Sequence, residues 1–193
     1  MEIVQRVQSI LLKPKEEWAR IKAEPMTAAG LFTSYALILA AIPPGFQFLR
    51  RVLIERLPVI GHWPVGRALM SALVAYVLSL LTVYLFALVI DALAPSFSST
   101  KSITAALKLA VYSMTPVWLA GAFNIFSGLW VLGVLAGLYG FYILFLGFEA
   151  PIMDTPKPKA AGYLAVSVLA AIVIYVVVNW FLKIIFAVRY GRL

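Results

Sequence analysis

Four ionisable residues fall inside or at the edge of long apolar runs: Asp91, Lys108, Glu149 and Asp154. A charge at membrane depth is expensive unless it is paired or wetted, so such groups mark ion pairs, proton relays or ion sites. Lys108 with Asp91 or Glu149 would bridge two helices. The alternative is that all four end their helices among lipid head groups, where charge costs little. The sequence holds little else that can do chemistry. With no Cys and a single His, thiolate nucleophiles, thiolate metal sites and disulfides are excluded, and a metal centre is short of ligands. His62 stands between Gly61 and Trp63 with no second ligand near it, and reads as an interfacial residue. There is no Gly-x-Ser-x-Gly elbow, no phosphate-cradling glycine loop and no helical His-Glu pair. No catalytic residue, cofactor or metal site is expected.

The elements that must position these four residues are apolar. Hydrophobic residues make up 63% of the chain and charged residues 12%, against about half and a quarter in globular domains. A water-soluble coat cannot be built from this composition, and no separate soluble domain fits. Two long apolar arms, about 128–150 and 161–188, flank a short polar elbow, Met153 to Lys159. Each exceeds the roughly 20 residues that cross a hydrocarbon core. Neither alternates as a barrel strand does, so each is read as a helix that pairs its own backbone groups. Three further crossings are expected at about 31–49, 68–94 and 104–126. The predicted fold is all-α: a polytopic bundle of five transmembrane helices preceded by an amphipathic interfacial segment over residues 1–30. Within that segment Ile3, Val4, Val7, Ile10 and Leu11 share a helical face, Pro14 opens a second short helix, and Trp18 is placed at the membrane boundary.

Finer features follow from backbone chemistry. Pro43 and Pro44 remove two consecutive donors and should kink the first crossing, and Pro116 should kink the third. Gly133, Gly137, Gly140 and Gly147 fall on one stripe of the fourth crossing, where a neighbouring helix backbone can approach closely. The tight turn Asn124 to Gly128 requires the third and fourth helices to pack as an antiparallel pair. Arg50, Arg51, Arg56 and Arg67 gather around the first loop, and Lys183, Arg189, Trp180 and Tyr190 lie toward the exit of the fifth crossing.

The net charge of +8 does not imply nucleic acid, because the cations sit at the ends of apolar runs rather than on a solvated basic face. Anionic lipid head groups are the expected partner. The first thirty residues lack the apolar core of a cleavable signal, which places the N-terminus in the cytoplasm. Five crossings then put nine Lys/Arg on the cytoplasmic side and seven on the other, a weak positive-inside bias.

The ordered set Tyr112-Ser113-Met114-Thr115-Pro116-Val117-Trp118, Trp130, Leu138-Tyr139-Gly140-Phe141-Tyr142, Met153-Asp154-Thr155-Pro156 and Lys159-Ala160-Ala161-Gly162-Tyr163 resembles the bacterial branch of the Yip1 membrane-protein family. Trp18, Glu24-Pro25 and the tail Arg189 to Leu193 extend the likeness over the whole chain. The resemblance implies a single five-helix membrane domain over 1–193 in a bacterial inner membrane, with the N-terminus cytoplasmic and the C-terminus on the opposite side. Eukaryotic members contact Rab-type GTPases. This chain lacks their Asp-Leu-Tyr-Gly-Pro motif and long polar N-terminal domain, so a Rab-type partner is not expected. Three functions stay open: a scaffold or adaptor working through a second copy or another membrane protein, a small channel or transporter lined by the proline breaks, and, last, an intramembrane enzyme.

Overall fold

The computed structural model describes residues 2–54, 64–149 and 152–190, without the side chains of Ser127, Asn179 and 181–190. The expectations for Arg56, His62, Trp63, Arg192 and the side chains of Lys183, Arg189 and Tyr190 lie outside this description. No strand occurs among the described residues. Two short helices, α1 (Ile3–Leu12) and α2 (Pro14–Ala23), precede five helices long and apolar enough to cross a membrane: Ala28–Ile54, Val65–Phe97, Ile103–Ile125, Trp130–Glu149 and one that begins at Lys157 and runs to Tyr190.

The third span is the core of the bundle. Its apolar window is 61% buried, against a third or less for the others, because it touches the first, second and fourth spans while the fifth, among the described residues, packs mainly on the second and fourth. Its small residues Ala106 and Ala110 are fully enclosed and let neighbours close in.

Both expected breaks are present. The first span turns at Ala41 and restarts as Ile42–Leu49, with Pro43 and Pro44 at its first positions, where a missing N–H costs least. The Leu37 carbonyl in the turn ahead accepts from the Tyr76 hydroxyl at 2.9 Å. The third span turns at Met114 and restarts with Pro116 in its first turn. The two breaks pack on each other. A Cβ on Gly121 would lie 2.8 Å from the Pro43 Cα, so only glycine lets these backbones meet.

The glycine stripe is divided. Gly140 faces the Ser113 carbonyl, 2.7 Å from a would-be Cβ, and Gly147 faces the Trp18 ring at 2.9 Å. Gly133 and Gly137 have nothing within 4 Å, so they correct the expectation of one continuous packing seam within this chain. Alanine at Gly121 or Gly147 should lower the melting temperature in detergent, since overpacking costs about 1–3 kcal/mol. Alanine at Gly133 should leave it unchanged or raise it, because glycine inside a helix is about 1 kcal/mol worse than alanine.

Candidate functional site

The most polar part of the interior is built by the residues ahead of the first span. On α1, Arg6 lies three residues after Ile3 and four before Ile10, on the apolar face rather than beside it. On α2, Glu17 shares a face with Pro14, Trp18 and Ile21. Folding the two helices together buries that stripe, and the charges go in with it: Arg6 and Glu17 are 4% and 1% exposed. The Arg6 guanidinium donates to both Glu17 and Glu24 and stands 5.7 Å from the centre of the Tyr112 ring. Arg20 adds a second cation 3.5 Å from Glu17. A guanidinium held by two carboxylates over an aromatic face is a matched set, and breaking one member leaves the other charge uncompensated.

Lys108 completes this layer. Its ammonium donates to the carbonyls of Ile21 and Glu24, at 2.7 and 2.8 Å, two acceptors at the end of α2 that the helix itself cannot satisfy. A cation at a helix C-terminus is also favoured by the helix dipole. Among the described residues Lys108 makes no salt bridge, which corrects the expected bridge to Asp91 or Glu149. The four residues read from the sequence are not one cluster. Asp154 pairs instead with Lys22 at 2.8 Å and accepts from Thr100 at 3.1 Å. Asp91 is half-buried, one carboxylate oxygen enclosed without a hydrogen-bond partner. Glu149 is exposed at the end of the fourth span.

Trp18, expected at the membrane boundary, is enclosed by protein. Its Nε1 donates to the Ile143 carbonyl at 3.0 Å, and its ring meets Tyr112 edge-on at 6.2 Å. Tyr139 donates to the Leu11 carbonyl, while the Tyr35 and Thr115 hydroxyls are bonded at 2.8 Å. Nearby, Ser99 bonds Thr155, the Thr100 amide donates to the Met153 carbonyl and Lys159 donates to Ser98, closing the loops at the same end. The amphipathic segment is therefore, over 3–23, a helical hairpin docked on the third and fourth spans. Sequence reasoning missed Arg6, Glu17, Glu24 and Tyr112; the signal was an arginine and a glutamate each on the apolar stripe of its own short helix. Among the described residues no group of acidic, His or Cys side chains could hold a metal. The layer carries paired charges, not a nucleophile with a base.

A family model described as Yip1 domain matches residues 9–178. No curated protein and no solved structure matches the chain.

Arg6→Met should be the most damaging change in the layer, because loss of one partner of a buried ion pair costs about 3–5 kcal/mol. Arg6→Met with Glu17→Gln should recover part of the lost melting temperature. Lys108→Met should also lower it, by the ~1–3 kcal/mol of a buried carbonyl left without a donor. The exposed Lys22–Asp154 pair behaves differently. The Lys22 ammonium, then the Thr100 hydroxyl, hold the Asp154 carboxyl below its usual range. A depressed carboxylate stabilises above its unfolded pKa of about 3.9 and loses that contribution as pH falls through the folded value. The melting difference between wild type and Asp154→Asn should thus be small but present at pH 7 and should shrink as pH falls below about 3.9, and asparagine suits the left-handed φ of 54° there.

Proposed function

Since the chain belongs to the Yip1 domain family and is an integral membrane protein, we propose that it acts as a non-catalytic scaffold or adaptor. It organises membrane proteins through its lateral and cytoplasmic surfaces rather than moving a solute. The observation that carries this reading is the closure at the proline breaks. Thr115 has no exposed surface, so no water-sized space opens onto it, and Pro44 and Pro116 are buried as well. A transport path would need polar, wetted backbone at broken helices. Here Pro43 rests on Gly121 and Tyr35 bonds Thr115.

Placement in a bacterial inner membrane, with α1 and α2 on the cytoplasmic side and the C-terminus opposite, belongs to the same proposal. It is supported by the resemblance to bacterial members, the odd number of spans among the described residues and the cations at the α1–α2 end. The partners proposed are a second copy or another integral membrane protein. A Rab-type GTPase is left out because this sequence lacks the Asp-Leu-Tyr-Gly-Pro motif of the eukaryotic members.

Two measurements on protein purified in mild detergent separate scaffold from transporter. Affinity isolation from native membranes should bring down a defined, reproducible set of membrane proteins, and reconstituted vesicles should show ion and small-solute flux no faster than empty ones. Flux that is abolished by Thr115→Val would overturn the scaffold in favour of the channel or transporter.

A further inference from the structure

The hairpin lies deeper along the bundle than a helix resting on a flat membrane would. The fourth span has 20 residues from Trp130 to Glu149, about 30 Å of helix, which only just equals a hydrocarbon core of about 30 Å. Tyr139 stands at its middle, ten residues or about 15 Å from Glu149, and its hydroxyl holds the Leu11 carbonyl. Trp18 is fixed to Ile143, six residues or about 9 Å from the same end. The turn joining α1 to α2 therefore sits within about one helical turn, ~5 Å, of the centre of the fourth span.

That turn is charged and open. Lys13 and Glu16 are 70% and 65% exposed, with 4.0 Å between their charges, and the Arg20 side chain is 65% exposed. Lys15 is exposed too, as is Leu12 beside it at 79%. Ionised groups surrounded by acyl chains at this depth would each cost several kcal/mol or draw head groups and water toward them. The opposite flank has the reverse character. The second span, Val65–Phe97, is 33 residues long, and the fifth helix, Lys157–Tyr190, is 34. Both expose apolar side chains such as Val77, Leu81, Leu169 and Val173. One side of the molecule is matched to a full bilayer and the other is not.

We propose that the leaflet surface steps inward along α1–α2, so that the bilayer is thinned beside the fourth span and lipid phosphates lie against Lys13, Lys15 and Arg20. The occupant follows from charge complementarity: Lys13 and Lys15 stand exposed beside the carboxylate of Glu16, and the Arg20 guanidinium, which also reaches Glu17, keeps 65% of its side chain exposed, with Leu12 entering the acyl chains between them. The inference does not depend on the scaffold reading, since a transporter could thin its membrane equally well.

The chain has no cysteine, so single cysteines report depth without background. Nitroxide labels on Glu16→Cys, Leu12→Cys, Lys101→Cys and Val134→Cys, in vesicles of phosphatidylethanolamine and phosphatidylglycerol, are compared by their collision rates with oxygen and with a water-soluble nickel complex. The label at position 16 should match the loop position 101 in nickel access, and the label at 12 should lie within a few ångströms of the head groups. The label at 134 should lie deep and favour oxygen. A label at 16 as deep as that at 134, or one shielded from both reagents by a second copy, would overturn the inward step. Separately, Lys13→Gln with Lys15→Gln should at least halve the phosphatidylglycerol that stays bound through delipidation, at unchanged melting temperature. Unchanged retention would overturn the phosphate contact.

Discussion

The fold rests on the placement of one guanidinium. Arg6 occupies the apolar face of α1, so that face cannot be buried unless the charge is buried with it. The structure meets this constraint by setting Arg6 between Glu17 and Glu24 and against the Tyr112 ring. Buried ion pairs seldom add net stability over well-packed apolar residues of the same volume. What this one supplies is register. With two carboxylates on α2 and its C-terminal extension and an aromatic partner on the third span, a single arrangement of hairpin and bundle satisfies all of the charges.

From that register the other contacts follow. Trp18 is carried to the Ile143 carbonyl and the flat face left by Gly147, and Leu11 is carried to Tyr139. Lys108, on the most enclosed helix of the bundle, supplies the donors that the end of α2 lacks. A lysine there satisfies two carbonyls at once, which no apolar residue could do. The proline breaks are handled by the same economy of backbone groups. Each proline sits where a helix restarts, and the loss of side chain at Gly121 lets the restarted turns touch. The consequence is an interior whose polar atoms are largely spent on holding helices together, which favours an organising role over a conducting one.

The five spans were legible because each is a long, predominantly apolar run, and the breaks were legible because proline lacks a donor wherever it occurs. The docked hairpin was not. Its two helices have the amphipathic pattern of surface helices, and periodicity cannot tell whether an apolar face will meet lipid or protein. The one discordant sign was Arg6 in step with Ile3 and Ile10, a charge that a lipid-facing stripe would not carry. Lys108 was singled out for its depth, but its partners are carbonyls, and backbone acceptors have no signature in sequence. The glycine stripe had the right period for packing along its whole length. Period does not say where a neighbouring helix stops, and α2 and the third span reach only as far as Gly147 and Gly140.

Whether the hairpin is an integral part of the bundle is read most directly by amide hydrogen exchange of residues 3–23 in lipid nanodiscs. A docked hairpin held by buried charges predicts amides of α1 and α2 that exchange as slowly as those of the third span, and together with them. Exchange at the rate of a frayed surface helix, while the third span stays protected, would contradict the account.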